Sequence, residues 1–177
     1  MNYLSQYIVP FHGLGNKEHV FNFVVTDEFF KHFEDDTING GNINVNLKVL
    51  NNINSLQLII GLKGKLKVLC DRCLEYYDQE IDFRDFVMVE FGEETNFDTN
   101  QECVFLKKGE TEINIAQLIY EFTHFALPLQ HYHPDTKTGE TGCNKEMLDL
   151  INKYLTVEND DIIDPRWEKL KEIKNKN

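Results

Sequence analysis

Between Ile43 and Phe91 the apolar residues keep a two-residue beat, which restricts the fold more than anything else in the chain. Ile43, Val45, Leu47 and Val49 alternate with Asn44, Asn46, Lys48 and Leu50, and a second alternating run begins at Leu56. Successive side chains of a strand point to opposite faces, so the pattern predicts half-buried strands in antiparallel sheet. In Leu62 to Cys70 one face carries Leu62, Gly64, Leu66, Val68 and Cys70. The other presents Lys63, Lys65, Lys67 and Leu69, giving a core side and a basic side.

Asp71-Arg72 separates this run from another, Cys73 to Phe83. A two-residue hairpin there sets Cys70 opposite Cys73 and pairs Lys65 with Asp78, Lys63 with Glu80, Leu66 with Tyr77 and Leu62 with Ile81. Only Val68 opposite Glu75 fits badly. A lysine row invites an RNA-contact reading, yet lysines already paired across a hairpin need no ligand, and the structural reading of Lys63, Lys65 and Lys67 is preferred.

The flanks add helices. Tyr7 to Phe11, a glycine-containing turn and Val20 to Val25 read as strand, turn, strand. Thr26 is placed to cap a short helix through Phe33, with Asp27 and Glu28 in its first turn, and Asn39-Gly40-Gly41-Asn42 is expected to end that unit as a loop. Gly92 to Gln101 reads as a loop and Glu102 to Leu106 as a short strand in which Cys103 is a packing residue. Asn114 with Gln117 suggests a capping box for a helix bearing Ile115, Leu118, Ile119, Phe122, Phe125 and Ala126 on one face and ending before Pro128. Met147, Leu148, Ile151 and Leu155 mark another helix. After an acidic linker from Val157 to Asp164, Asp164-Pro165 opens a last one with Trp167, Leu170 and Ile173.

These elements predict an α+β fold, a mainly antiparallel sheet or partly closed barrel with a few packed helices. With 177 residues, 41% of them apolar, one domain over residues 1–172 with a basic tail at 173–177 is expected. No run reaches the roughly 18 apolar residues of a membrane span, and Met1 to Phe11 lacks a leader pattern, so a cytoplasmic location is expected. The net charge of −12 disfavours a broad footprint on phosphate, which needs displaced counterions, and suits a basic protein partner.

Of the four cysteines, Cys70 and Cys73 form a C-x-x-C pair, which in a reducing compartment points to metal or redox chemistry. A thioredoxin-like motif opens a helix, whereas Leu74 to Phe83 looks extended, so the redox reading is set aside. Two thiolates at a tight turn supply half of a tetrahedral zinc site. His131, His133 and Cys143 follow Pro128, so Cys70, Cys73, His133 and Cys143 make a Cys3His set for one structural zinc, with His131 able to replace His133 and packing cysteines as the alternative. Asp-Arg suits a primed turn poorly, which an external clamp would explain. His131-Tyr132-His133-Pro134-Asp135 also matches the start of a binuclear hydrolase motif, giving a second reading as a metal-dependent RNA hydrolase through His131, His133 and Asp135. Thr136 stands where that motif continues with histidine, and no other histidine completes two centres.

Three stretches together resemble the YceD family, the large ribosomal RNA subunit accumulation proteins: Val68 to Glu75, Ile115 to Leu129 with its terminal Leu127-Pro128-Leu129, and His131-Tyr132-His133-Pro134 with Cys143. Asp164 to Leu170 is similar to an ending seen in some members, so the likeness spans roughly residues 20 to 172. The resemblance implies a part in synthesis, processing or accumulation of large-subunit ribosomal RNA, with no catalytic activity. The partner would be that RNA or a ribosomal protein, RNA contact being local or indirect. Arg72, Lys107 and Lys108 are the candidate contacts.

Overall fold

A computed structural model describes residues 3–15, 17–33, 37–52, 54–97, 103–135 and 139–155. The expected linker after Val157, the helix at Trp167 and the basic tail lie outside these residues. The chain divides into two compact units, Met1–Cys143 and Asn144–Asn177.

In the first unit a 3-10 turn, Tyr3–Tyr7, leads into β1, Ile8–Pro10, then β2, Glu18–Val25, and α1, Asp27–Phe30. Three long strands follow: β3, Ile38–Asn51, β4, Ser55–Leu69, and β5, Tyr76–Gly92. β6, Cys103–Lys107, β7, Glu112–Asn114, and α2, Ala116–Phe125, complete it, and α3, Lys145–Tyr154, belongs to the second unit.

The two-residue beat becomes a five-stranded sheet ordered β2-β3-β4-β5-β6. Ile43, Val45, Leu47 and Val49 of β3 and Leu56, Leu58, Ile60, Leu62, Leu66 and Val68 of β4 are all buried, and Lys63, Lys65 and Lys67 are exposed. Each buried aliphatic side chain of this size contributes roughly 1.5–3 kcal/mol before entropy is counted. The core lies between this face and α1, α2 and the small β1-β7 sheet. From α2, Leu118, Ile119 and Phe122 are buried, Phe122 meeting Phe83 edge-on at 6.1 Å, whereas Phe125, expected on the same face, is exposed.

Several expectations are corrected. The sheet is open, not a partly closed barrel, because β2 and β6 are its edges and do not pair with each other. It is mainly antiparallel, as expected, with β6 running parallel to β5. β1 and β2 form no hairpin: β1 pairs with β7, putting Val9 opposite Ile113. Asn39 to Asn42 is no loop but part of β3, at an irregularity between Ile38 and Gly41. Gly41 has a φ of 158°, and a Cβ there would sit 2.5 Å from the Lys65 carbonyl oxygen, so glycine permits the close approach. α1 stops at Phe30, short of Phe33, and the Thr26 side chain makes no capping bond. At α2 the expected capping box does not form: the N-cap is Ile115, Asn114 Oδ1 accepts from the Ala116 amide two residues on at 2.9 Å, and Gln117 turns to Glu121.

The β4-β5 register also differs from the expected one. Lys63 lies opposite Asp82 and Lys65 opposite Glu80, two residues further along β5 than a two-residue turn requires. The faces survive because a shift of two preserves alternation. So does the charge ladder: Lys63 reaches Asp82 at 2.7 Å and Lys65 reaches Glu80 at 3.4 Å. The extra residues form the site.

Candidate metal centre

Where β4 ends, the chain closes a six-residue loop, Cys70 to Glu75. The Cys70 amide donates to the Glu75 carbonyl at 2.9 Å, and the Leu74 amide donates back to the Cys70 carbonyl at 3.0 Å. Leu74 takes a φ of 58°, in the left-handed region that costs a residue with a Cβ about 1–2 kcal/mol. A glycine often follows the second cysteine of a zinc knuckle. Here leucine holds that backbone shape, which requires contacts outside the loop to enforce it.

Those contacts come from the segment after Pro128, residue against residue. The Asp71 amide donates to the His131 carbonyl at 2.7 Å, and the His131 amide donates to the Asp71 carboxylate at 2.6 Å. The Arg72 guanidinium lies 4.0 Å from the centre of the Tyr132 ring, a cation-π contact. Cys73 Sγ is 3.4 Å from His133 Nδ1. Asp71-Arg72-Cys73 thus meets His131-Tyr132-His133 in step. The poor turn propensity of Asp-Arg was the only local signal of this clasp.

Cys143 comes from the far side of the same segment. Asp135 bridges Thr141, and Gly142 passes so close that a Cβ there would stand 2.8 Å from the Pro134 carbonyl oxygen and 3.2 Å from His133 Cβ. Glycine is needed at 142 for that approach. It carries Cys143 Sγ to 3.7 Å from Cys70 Sγ.

One ligand atom each from Cys70, Cys73, His133 and Cys143 therefore lies within 4.8 Å of every other. A tetrahedral zinc with bonds of about 2.3 Å to sulfur and 2.0 Å to nitrogen has sulfur-sulfur and sulfur-nitrogen edges of about 3.8 and 3.5 Å. The 3.7 and 3.4 Å separations match these edges. All three cysteines are buried and form no disulfide. Burial opposes ionisation of Cys70, but the amides of Cys73 and Arg72, with His133, outweigh it and draw that thiol down to about 6. Burial and the neighbouring Cys70 and Cys73 sulfurs push Cys143 up. A divalent cation would relieve that crowding of thiolates. The His133 ring also packs on Tyr77, centroids 4.9 Å apart.

The other sequence candidates fall elsewhere. His131 is not in the cluster; its Nδ1 faces Asp71 at 3.9 Å. His131, His133 and Asp135 do not converge, and among the described residues the Cys3His group is the one cluster of ligand side chains found. Cys103 is half-buried on β6 opposite Met88. Arg72 is at the hairpin loop, whereas Lys107 ends β6 opposite Gly92, and Lys108 lines a cleft of about 380 Å³ with Phe11, His12, Asn51 and Phe91. β5 runs from Tyr76 to Gly92, on the order of 50 Å at strand rise. Arg72 and the two lysines are at opposite ends of it and form no single contact surface.

A family model described as large ribosomal RNA subunit accumulation protein YceD matches residues 59–174, more than half of the chain. The chain belongs to the YceD family. The match opens inside β4, later than the residue near 20 that the resemblance suggested, and takes in all four clustered residues. No curated protein and no solved structure matches the chain. Its family ties it to accumulation of large-subunit ribosomal RNA. Among the described residues no helix is long and apolar enough to cross a membrane.

Proposed function

We propose that the protein is a non-enzymatic, cytoplasmic accessory factor of ribosome biogenesis whose fold is completed by one structural zinc on Cys70, Cys73, His133 and Cys143. The observation that carries the metal reading is the set of three buried cysteines and half-buried His133, all within 4.8 Å of one another, with two separations, 3.7 and 3.4 Å, at tetrahedral edge length. Four protein ligands leave no open position for a water or substrate, as a structural site requires and a hydrolytic one does not allow. Zinc would neutralise the sulfurs and fasten the β4-β5 loop to the segment after Pro128, holding Leu74 in its strained conformation.

The ribosomal reading rests on the family, and the excess of 30 acidic over 18 basic side chains favours a basic ribosomal protein as the direct contact. Large-subunit RNA would then be reached through that protein, with Arg72, Lys107 and Lys108 as local contacts. A pull-down from growing cells at two salt concentrations tests this. Large-subunit ribosomal proteins should be captured at low salt and depleted at high salt, with precursor RNA lost alongside them. RNA retained after the ribosomal proteins have been washed away would contradict it.

A further inference from the structure

The two edges of the sheet are treated differently. At β6, Asn96 closes the outer side by exchanging both main-chain hydrogen bonds with Phe105, at 2.8 and 2.9 Å. At β2 no strand covers the edge among the described residues. Its eight residues, Glu-His-Val-Phe-Asn-Phe-Val-Val, include no proline and no lysine, the usual guards of an open edge.

The direction of its free groups follows from the register. The Asn52 amide donates to the Ser55 carbonyl at 2.9 Å, so this is a hydrogen-bonded pair closing the β3-β4 turn. Such pairs recur every second residue in an antiparallel ladder, which turns the even-numbered amides of β3 to β4 and the odd-numbered ones to β2. Phe21 pairs with Leu47 and Phe23 with Val45. The N–H and C=O groups of Val20, Asn22 and Val24 therefore face outward, and the Val24 carbonyl indeed accepts from the Tyr7 hydroxyl at 3.3 Å. A carbonyl has a second lone pair to offer.

Val20-Phe21-Asn22-Phe23-Val24 reads the same in both directions. An antiparallel pair about a two-fold axis at Asn22 sets Val20 against Val24, Phe21 against Phe23 and Asn22 against itself. We infer that β2 is a self-association edge, where a second copy of this chain adds its own β2 and joins two five-stranded sheets into one. About six main-chain hydrogen bonds would close the seam. On the outer face Val20 and Val24 are 49% and 54% exposed and would cover each other. On the core face Phe21 and Phe23 are only partly buried, Phe23 packing on Tyr7 at 5.8 Å, so apolar surface remains at this edge for a second copy to cover. The chain's negative charge opposes association, but residues 19–25 contain no aspartate, glutamate, lysine or arginine, so no like charges meet at the seam.

Sedimentation velocity of the full chain over a concentration series tests the inference. The native chain should show a reversible monomer-dimer equilibrium. Asn22→Lys, which sets two ammonium groups face to face across the axis, should weaken it at least tenfold with little change in the melting temperature. A second variant works independently of that equilibrium. Cα atoms of a hydrogen-bonded antiparallel pair lie about 5.5 Å apart, within disulfide reach, so Asn22→Cys should give a dimer cross-linked at position 22 on mild oxidation. A native chain that stays monomeric, a dimer indifferent to Asn22→Lys, or a folded Asn22→Cys chain that does not cross-link at that position would each overturn it.

Discussion

At Leu58 and Ile60, midway along β4, the chain is flanked by antiparallel neighbours on both sides, and its inward side chains are fully buried. At Cys70, just beyond the end of the same strand, the neighbours are His131, His133 and Cys143, brought from more than 60 residues away and held by polar and sulfur contacts. The first region stabilises itself by burying apolar surface, which needs only the right pattern. The second gathers three thiols and an imidazole, whose thiolate forms would repel one another unless a cation lay between them. A sheet and a clasp on one strand should thus respond to different perturbations.

The largest effect is expected in the sheet. Leu58→Ala should cost about 2–5 kcal/mol in chemical denaturation, by lost burial and the cavity left behind. The loss should be the same with zinc or with chelator.

Cys70→Ser with Cys73→Ser should behave in the opposite way. Zinc at a hundredfold excess over its Kd adds about 2.7 kcal/mol to the native chain by linkage. Thermal melts with and without chelator should show that increment in the native chain and none in the double variant. An identical response in the two chains would dissolve the distinction between sheet and clasp.

Smaller changes sharpen it. Asp71→Ala removes a carboxylate that accepts from the His131 amide, a charge-assisted bond at a half-exposed group, and should cost about 1 kcal/mol. It should also weaken zinc binding in a competition titration with a chromophoric chelator. Leu74→Gly relieves the left-handed backbone and should change stability by less than about 1 kcal/mol, in the favourable direction, because glycine's freedom in the unfolded chain offsets part of the gain. Lys63→Ala breaks a surface ion pair with Asp82 and should leave the melting temperature within experimental scatter.

How far each region was legible in the sequence follows from the same contrast. Alternation reports burial directly, so the faces of β3 and β4 and the exposed lysines were readable residue by residue. Register was misread: the shorter turn pairs only Lys63 and Lys65 with acids and sets Val68 against Glu75, whereas the slip of two also brings Lys67 opposite Asp78 and Val68 opposite Tyr77. The two-residue turn set Cys70 opposite Cys73 against the poor turn propensity of Asp-Arg, whereas Cys70 bonds to Leu74 and Glu75 and wraps a longer loop around its sulfur. The parallel pairing of β6 with β5 and the antiparallel pairing of β1 with β7 join segments whose own patterns carry no partner information. The Cys3His cluster was recoverable from chemistry, since two thiols invite further donors and the segment after Pro128 held histidines and a cysteine. His131 lies beside Asp71 instead, its amide donating to that carboxylate, a contact across 60 residues that no local pattern encodes.

The most direct test is metal content combined with X-ray absorption at the zinc edge on the purified full chain. One zinc per chain, with three sulfur neighbours at about 2.3 Å and one nitrogen at about 2.0 Å, is the predicted result. A chain that takes up no zinc, or one whose zinc sits among oxygen and nitrogen ligands with an exchangeable water, would contradict it.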